Sequence, residues 1–379
     1  MSTDSSESSC PEEVYRSKAT ICVALYSFDV GGSERLGLDL VKYYAEHGAN
    51  VVCCATRRGL GPLVSIVKSL RIPYLALDLE NRTRFGRALS RFLLMRWLVN
   101  HRVTCIHAQH FSVYADVHAP AVAAGIKNRI VTEHTAEPLL NDRKYAKLTA
   151  RFAHKATSVV AINQVVKDAL CHVSGIPASD VLLIENGIDT RRFTPGDIRS
   201  SGQIRIVWMG RLHPDKDILT ALSAFQEATI ATNLELRLFI VGDGQERKKA
   251  EKFVDINNLG TKVVFEGELN DPLPILQQAD FFLMSSRTEG TPLVILEALS
   301  CGLPVVATAV GGIPNTITEE VGLLAPAENP SALARCILIL AKDRELRLKM
   351  GKKAREIAEF TFSVERMAKT YTKLYANLE

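Results

Sequence analysis

The stretch SSRTEGTPLVILEALSCGLPVVAT, residues 285–308, contains a helix flanked by two strands, and this pattern predicts the fold. An apolar strand, ADFFLMSS, leads into it, Pro292 suits the first position of the helix that follows, and a second strand, LPVVATAV, comes after the helix. Glu289 lies just ahead of this helix and Glu297 on its second turn. A strand, a helix and a further strand in this order are typical of a parallel sheet covered by helices.

The same alternation extends in both directions along the chain. It begins with the strand ATICVALYSF, is interrupted by TRRFTPGDIRSSGQ, whose composition is that of a linker, and restarts at IRIVWMG. The predicted fold class is α/β, with two Rossmann-like doubly wound domains facing each other across a cleft. The predicted divisions are a disordered tail at 1–18, an N-terminal domain at 19–190, a linker at 191–203, a C-terminal domain at 204–361 and a terminal helix at 362–379.

Length and composition agree with two globular domains. The chain has 379 residues, more than one hydrophobic core usually organises, and its net charge of +4 is too small to indicate a nucleic-acid binder. The eight cysteines form no CxxC pair and no zinc-ligand spacing, which favours buried, reduced thiols in a cytoplasmic protein. No run reaches the roughly 18 apolar residues of a membrane span, and the N-terminal segment lacks the apolar core of a signal peptide.

The helix of the opening stretch suggests an anion site between two carboxylates. Its first amides, near Leu293 and Val294, lie at the positively polarised end of the helix. The carboxylates of Glu289 and Glu297 are expected about 8–12 Å apart, too far for the roughly 5 Å pair of a retaining glycosidase. The spacing suits two carboxylates that bind hydroxyl groups at opposite ends of a diphosphate. One would bind a sugar and the other a ribose. The alternative is that Glu289 caps the helix and Glu297 faces solvent.

A second loop supplies cations. The segment VWMGRLHPDKDI carries Arg211, which can hold phosphate in a bidentate manner, and Lys216, a compact positive charge. Next to a helix N-terminus, the two would stabilise a leaving diphosphate. The same loop contains an acid-x-acid triplet, but its central lysine disfavours a dication, so no metal site is predicted.

The first half contributes glycines and histidines. Gly31 and Gly32, in FDVGGSER after the first strand, allow close approach of a ligand to the backbone, but no GxGxxG fingerprint is present and an oxidoreductase is disfavoured. His134 ends a strand at the edge where the cleft is expected. Metal ligation is the less favoured interpretation of the histidines, which are His107, His110, His118 and His134.

These motifs together resemble the retaining nucleotide-sugar glycosyltransferases of the GT-B fold, in the fourth family, often called glycosyltransferase group 1. The resemblance runs through GGSER, TEHT, ENGID, GRLHPDKDI, VGDGQER and RTEGTPLVILEALSCGLPVVATAVGGIP, and covers about residues 20–375. The last block, with two glutamates eight residues apart, is the most specific. The family implies that the terminal helix crosses back to the first domain.

The resemblance also implies a role for each site residue. Glu289 would hold hydroxyls of the donor sugar, Glu297 would hold the ribose, and His134 would lie beside the reacting carbon. The diphosphate would contact Arg211 and Lys216. The remaining implied positions are amides around Thr291, Leu293 and Val294 at the diphosphate, Gly31 and Gly32 on the phosphate and acceptor side, Asn186 and Gly187 near the crossover, and 265–269 against the base.

One position departs from the family pattern. The lysine of this loop is commonly followed by glycine in the family, but here Asp217 follows Lys216. Aspartate can adopt a left-handed turn, yet it adds a negative charge near the expected phosphate site. The departure concerns the donor contacts and leaves the predicted fold unchanged.

The implied reaction moves a hexose-type sugar from a nucleoside-diphosphate sugar, with UDP favoured, to an acceptor hydroxyl in glycan, polysaccharide or glycolipid synthesis. Front-side substitution retains the anomeric configuration and needs neither a metal nor another cofactor. The acceptor is a glycan, a lipid-linked molecule or a small molecule, and no nucleic acid is expected. Two alternatives are a non-catalytic nucleotide-sugar binding protein and a nucleotide-sugar epimerase.

A basic aromatic helix leaves the question of a membrane open. The segment RTRFGRALSRFLLMRWLVNHR carries five arginines before residue 97, with Phe85, Phe92 and Trp97 among them. It either covers the sheet with its arginines in water or lies on an anionic bilayer. The expected location is therefore the cytoplasm, with peripheral contact at the inner face of the membrane as the second interpretation.

Overall fold

The computed structural model describes residues 19–57, 60–197 and 202–376. Within these residues two parallel sheets form, one of seven strands and one of six, with helices between successive strands. The predicted α/β fold class is therefore confirmed. The strands are β1 (Thr20–Leu25), β2 (Asn50–Ala55), β3 (Tyr74–Ala76), β4 (Val103–Gln109), β5 (Asn128–Glu133), β6 (Ser158–Ala161) and β7 (Val181–Leu183), then β8 (Gln203–Met209), β9 (Glu235–Val241), β10 (Val263–Gly267), β11 (Phe281–Met284), β12 (Val305–Thr308) and β13 (Gly322–Ala325).

The helices follow the strands in the order expected for doubly wound sheets. They are α1 (Gly32–Glu46), α2 (Val64–Ser69), α3 (Arg84–Asn100), α4 (Phe111–Ala123), α5 (Glu137–Asn141), α6 (Arg143–Ala153), α7 (Gln164–Ser174), α8 (Ile218–Ile230), α9 (Arg247–Ile256), α10 (Leu273–Leu276), α11 (Leu293–Ser300), α12 (Ile313–Thr316), α13 (Pro330–Lys342), α14 (Arg344–Phe360) and α15 (Val364–Ala376).

Each sheet reverses its strand order once, and the reversal defines where a ligand is expected. The orders are β3-β2-β1-β4-β5-β6-β7 and β10-β9-β8-β11-β12-β13. Strands are added to one side of β1 and β8 first and then, from β4 and β11, to the other side. Open parallel sheets bind ligands beyond the carboxyl ends of the strands at this switch point. The loops after β1, β4, β8 and β11 are thus the expected site-forming segments.

The inner strands β1, β11 and β12 are buried along their whole length because both faces of each sheet are covered. All six residues of β1 and all four of β11 and β12 are buried. The thiols of the described residues are free, and Cys22 and Cys54 lie buried with their Sγ atoms 3.8 Å apart. No helix in the described part of the chain is long and apolar enough to cross a bilayer.

The chain divides into two compact units. The first runs to Glu185 and includes the last segment from Val364, and the second is Asn186–Ser363. The sequence predicted the boundary near residue 190. It lies earlier because Ile188 pairs with Ser363 and its N–H donates to the carbonyl of Phe362 at 2.7 Å. The predicted tail at 1–18, residues 198–201 of the predicted linker and 377–379 lie outside the described residues.

The terminal helix α15 belongs to the first unit. Its Tyr375 hydroxyl lies 2.7 Å from Nδ1 of His107 on β4, and its Tyr371 hydroxyl lies 2.9 Å from Oγ1 of Thr132 on β5. Burial lowers the pKa of His107 to about 3, so this imidazole is neutral. A neutral ring that bridges β4 and α15 is a structural element of the unit and is not available as a cation.

Candidate functional site

The loops after β8 and β11 meet at one edge of the second sheet because the two strands are neighbours. Phe281 and Leu283 of β11 pair with Ile206 and Trp208 of β8. Trp208 donates from Nε1 to Oγ of Ser285 at 3.2 Å, and that hydroxyl contacts the carbonyls of Lys216 and Asp217 at 2.9 and 2.8 Å. These contacts hold the lysine-bearing loop against the glutamate-bearing loop.

Lys216 and Glu289 form a direct ion pair at this edge. Glu289 also accepts a hydrogen bond from Oγ of Ser286 at 2.7 Å, and its side chain is only 8% exposed. The sequence predicts that these two charges contact different parts of a ligand, whereas the structure joins them in one ion pair. A diphosphate bound beside Lys216 would share its ammonium group with Glu289, which couples the diphosphate position to the sugar position.

Neither alternative interpretation of the two glutamates holds. The carboxylate of Glu289 contacts Lys216 and Ser286, and α11 has no side-chain cap. Glu297 lies on the second turn of α11 and is 3% exposed, so it does not face solvent.

The start of α11 differs by one residue from the prediction. Pro292 was expected at the first helical position, but its φ of −69° and ψ of 122° are extended, so it is the N-cap and Leu293 begins the helix. The N–H of Ile295 donates to the carbonyl of Pro292 at 3.1 Å. The amides of Leu293 and Val294 therefore occupy the first turn, where a helix offers donors to an anion.

The loop after β12 fixes the backbone of Glu289. Gly312 donates from its N–H to the carbonyl of Gly290 at 3.0 Å. Gly311 has a φ of 53°, and a Cβ atom there would overlap the carbonyl oxygen of Glu289. Only glycine fits this position, since both the positive φ and the close approach exclude a side chain.

Asp217 does not leave a free negative charge in the loop. It adopts a left-handed conformation, with a φ of 46°, and caps α8 by accepting from the N–H and Oγ1 of Thr220 at 3.3 and 2.9 Å. Its carboxylate also accepts from Nε of Arg287 at 3.0 Å. The departure from the family pattern is therefore accommodated locally, by a helix cap and an ion pair.

Arg211 lies in the same loop as Lys216, and Thr291 lies in the same loop as Glu289. The Arg211 side chain is exposed and has no ion-pair partner among the residues that the structure describes. The carbonyl of Thr291 accepts from Nδ2 of Asn186 at 3.4 Å. Oδ1 of Asn186 is buried and has no hydrogen-bond partner within the described residues. A bound group that donates to this oxygen would remove the cost of leaving it unsatisfied.

The glycines of the first unit lie between β1 and α1. Gly31 is the N-cap of α1, and a Cβ atom there would overlap the carboxylate of Glu34. Gly32 is exposed, and a Cβ atom there would meet nothing within 4 Å. The contact at Gly31 is with a flexible side chain, so the pair leaves open space beside the edge of the sheet instead of forming a tight backbone cradle.

His134 is held as a neutral ring at the end of β5. Its Nε2 lies 2.7 Å from Oε1 of Gln109, to which it donates. Burial lowers the pKa of His134 well below its usual range, and the neighbouring rings of His110 and His107 lower it further. His134 can therefore offer its backbone or a neutral imidazole to a ligand, but not a positive charge.

A buried ion pair that the sequence does not predict lies beside His134. Glu133 at the end of β5 accepts from Nδ1 of His110 at 2.7 Å and from the hydroxyl of Tyr145. Burial opposes the charge on Glu133, but His110 and the hydrogen bonds outweigh it and lower the pKa of Glu133. Burial likewise opposes the charge on His110, but Glu133 outweighs it, with a contribution from Glu34, and raises the pKa of His110.

The geometry of His110 marks this pair as more than packing. Its φ of 83° is unusual for a residue other than glycine, and its side chain is 20% exposed. It follows β4, while Glu133 ends the neighbouring β5, so the adjacency of these two strands was the signal that could have revealed the pair. Strained residues at the carboxyl edge of a parallel sheet are frequent at functional sites.

Two family models match the chain in succession. Residues 30–192 match the model described as Glycosyltransferase Family 4, and residues 192–357 match the model described as Glycosyl transferases group 1. The two matches together span both units. In the described part of the chain, no group of three or more His, Cys, Asp or Glu side chains is arranged to hold a metal ion.

Two curated relatives with similar sequences are named as a synthase and a transferase. The chain is 29% identical over 208 residues to the N-acetyl-alpha-D-glucosaminyl L-malate synthase of Bacillus anthracis, covering 52% of this chain and 54% of the relative. It is 28% identical over 363 residues to a sulfoquinovosyl transferase of Arabidopsis thaliana, covering 87% of this chain and 68% of that protein. The chain thus spans only about half the length of the first of these relatives.

A solved structure shares the fold over nearly the whole chain. The Anabaena protein HepE, crystallised with UDP, superposes with a TM-score of 0.83 at 19% identity and covers 95% of this chain and 100% of its own. This likeness confirms the GT-B fold class. The family matches, the relatives and the fold agree, and the chain belongs to the group 1 glycosyltransferases, family 4, of the GT-B fold.

Proposed function

We propose that this protein transfers a hexose-type sugar from a UDP-sugar to an acceptor hydroxyl, with retention of the anomeric configuration and without a metal ion. The observation that carries the proposal is the Lys216–Glu289 ion pair, held beside the first turn of α11 at the switch point of the second sheet. It combines a cation and helix amides for a diphosphate with a carboxylate for sugar hydroxyls.

Each donor group has a natural partner in this arrangement. Lys216 and Arg211 would bind the diphosphate together with the amides of Leu293 and Val294, because cations and a helix N-terminus both favour negative charge. Glu289 would accept from sugar hydroxyls. Glu297, on the second turn of α11, would accept from the ribose hydroxyls.

The reaction requires stabilisation of a departing diphosphate. Negative charge grows on the leaving oxygen as the glycosidic bond breaks, and fixed cations and amides stabilise that charge without reorganisation. The acceptor hydroxyl then attacks on the face from which the diphosphate departs, and its proton passes to the leaving phosphate. The family resemblance assigns His134, Gly31 and Gly32 of the first unit to the sugar and acceptor side, and these roles are part of the proposal.

UDP and a hexose-type sugar are supported by similar proteins. The Anabaena protein of the same fold was crystallised with UDP, and the names of the two relatives denote glucosaminyl and sulfoquinovosyl groups. The acceptor is a glycan, a lipid-linked molecule or a small molecule.

We assign the protein to the cytoplasm, because its buried cysteines remain thiols, as is usual in a reducing compartment.

A thermal-shift screen with UDP-, GDP- and ADP-sugars tests the donor. Ligands that bind only the folded state raise its stability by mass action, so UDP-sugars should raise Tm most. UDP release should then depend on an added acceptor and persist in EDTA, and NMR of the product should show the anomeric configuration of the donor. A Tm response to GDP- or ADP-sugars alone would overturn the choice of base, and loss of turnover in EDTA would overturn metal independence.

Two other functions give different results in the same assay. A non-catalytic binding protein would show the Tm shift but no UDP release with any acceptor. An epimerase would convert the donor sugar without an acceptor and without net UDP release. The matches to two glycosyltransferase family models favour the transferase over both alternatives.

A further inference from the structure

The surface-facing side of α3 is apolar where a water-exposed helix is normally polar. One side of the helix is buried against the core of the first unit through Ser90, Leu94 and Leu98. The opposite side exposes large apolar side chains, of which Phe85 is 81% exposed and Phe92 is 50% exposed. This outer face of α3 consists of Phe85, Leu89, Phe92, Arg96 and Val99.

The outer face is one continuous stripe. Its residues follow each other at spacings of four, three, four and three, which places them on the same side of an α-helix over about 21 Å. Leu93 extends the stripe at its edge and is 48% exposed. Trp97, which the sequence analysis grouped with the two phenylalanines, is half-buried and packs against the core instead. Apolar stripes of this kind on a surface helix mark interaction sites.

The charged residues of α3 itself are all positive. α3 contains no Asp or Glu, and Arg84 and Arg96 lie on it with Arg82 just ahead. Among the residues that the structure describes, none of these three arginines has an ion-pair partner. The upstream acids are engaged elsewhere: Asp78 accepts from Asn81, and Glu80 from the hydroxyl of Tyr26.

The other two arginines of the helix serve the fold. Arg87 donates from Nε to the carbonyl of Leu79 at 3.0 Å, and Arg91 lies 3.7 Å from the carboxylate of Asp116. They are therefore anchored beside the helix, whereas Arg82, Arg84 and Arg96 are available to an external anion. This division provides matched variants of the same residue type on one helix.

We propose that the outer face of α3 docks onto the surface of an anionic lipid bilayer. The phenylalanines and aliphatic side chains would enter the boundary between headgroups and acyl chains, and the arginines would bind lipid phosphates. A second copy of this chain fits less well, because a twofold contact through this face would bring the arginines of both copies together. If the proposed function holds as well, the acceptor is a lipid or a lipid-linked molecule.

Vesicle flotation of the full chain tests the proposal with two liposome compositions. The protein should float with vesicles that contain phosphatidylglycerol, bind far less to pure phosphatidylcholine, and dissociate as salt is raised. Replacing Arg84 and Arg96 by Gln should weaken partitioning into the vesicles roughly fivefold per residue. This is the gain in membrane affinity expected from one arginine near an anionic surface. Replacing Phe85 and Phe92 by Ser should weaken it by about tenfold or more.

The control removes exposed apolar side chains from another surface. Ile230 and Ile256 are 77% and 67% exposed in the second unit, and Ile230→Ser with Ile256→Ser should leave flotation unchanged. Every variant should keep the wild-type Tm and the Tm response to UDP, which separates docking from folding and from the donor site. Absence of flotation, equal binding to neutral vesicles, or a dimer that the Phe85→Ser, Phe92→Ser variant dissociates would overturn the proposal. Intact flotation without any UDP response would refute only the proposed function.

Discussion

Lys216 and Glu289 lie 73 positions apart in the chain and form one ion pair at the edge shared by β8 and β11. The cation and the acid lie in two separate sequence motifs. Their ion pair shows that both belong to one site. It also means that a change at either residue leaves the other charge without its partner. The consequences differ for the two parts of a nucleotide sugar.

Glu289→Gln should abolish most turnover while UDP itself still binds. The carboxylate is proposed to contact the sugar and not the diphosphate, so affinity for UDP should change little and the transfer rate should fall by about 10²–10³. Lys216→Met should weaken UDP binding as well as turnover. Calorimetric titration with UDP and a UDP-release assay distinguish the two variants. Equal loss of UDP affinity in both would contradict the division of roles.

Gly311→Ala should destabilise the site loop. A Cβ atom would overlap the carbonyl oxygen of Glu289, and the φ of 53° disfavours any side chain, so about 2 kcal/mol or more of unfolding free energy should be lost. Gly260→Ala is the matched control, because a Cβ atom at Gly260 meets nothing within 4 Å. Urea unfolding measures both. Equal midpoints for the two variants would show that the loop relaxes freely around residue 311.

Asp217→Asn should separate the charge of this residue from its role in the turn. Asparagine tolerates the left-handed conformation and can still cap α8, so stability should change by less than about 1 kcal/mol. Removing the negative charge should strengthen UDP binding at low ionic strength, with the gain fading as salt is added. Asp217→Ala, which loses the cap as well, should have a lower Tm. Weaker UDP binding by the asparagine variant would mean that Arg287 needs its partner for the site to form.

The His110–Glu133 pair should stabilise the fold most in mildly acidic solution. The lowered pKa of Glu133 gives stability that is present above its unfolded value and lost as pH falls through its folded value. The raised pKa of His110 gives stability that is present below its unfolded value, near 6.5, and lost as pH rises through its folded value. The Tm difference between wild type and His110→Gln should therefore peak between about pH 4.5 and 6.5. A difference that grows steadily toward alkaline pH would contradict the ion pair.

His107 should make the fold sensitive to acid. Burial lowers its pKa to about 3 in the folded state, while the unfolded chain takes up a proton near pH 6.5. Between these two pH values only the unfolded state is protonated at this site. As the pH is lowered through this range, the folding equilibrium constant should therefore fall by up to about tenfold per pH unit. His107→Asn should flatten the Tm profile over this range, measured against His47→Asn, an exposed control. An unchanged profile would show that other groups dominate acid unfolding.

Much of the fold could be predicted from the sequence because the two sheets are built from apolar strands that alternate with helices. Two predicted strands, ADFFLMSS and LPVVATAV, correspond to β11 and β12. Both observed strands are shorter than predicted, because they include only the residues that pair with neighbouring strands. The family resemblance was confirmed by the matches to both halves. The position of Pro292 was wrong by one residue, since only the observed ψ angle separates an N-cap from the first helical residue.

Tertiary arrangement explains what the sequence did not reveal. Glu297 could be assigned to a helix but not to its buried side, because α11 is apolar on several faces. The pairing of Glu133 with His110 depends on β4 lying beside β5, which strand order along the chain does not settle. The roles proposed for Glu289, Glu297, Arg211 and Lys216 stay predictions.

The terminal helix α15 has a consequence for biosynthesis. The whole of Asn186–Ser363 separates it from the sheet on which its tyrosines pack. A ribosome therefore releases every strand of the first unit long before the segment that seals His107 and Thr132 is translated. Until then the nascent chain leaves these buried side chains uncovered, so premature termination near residue 363 should yield a product that depends on chaperones and is degraded rapidly.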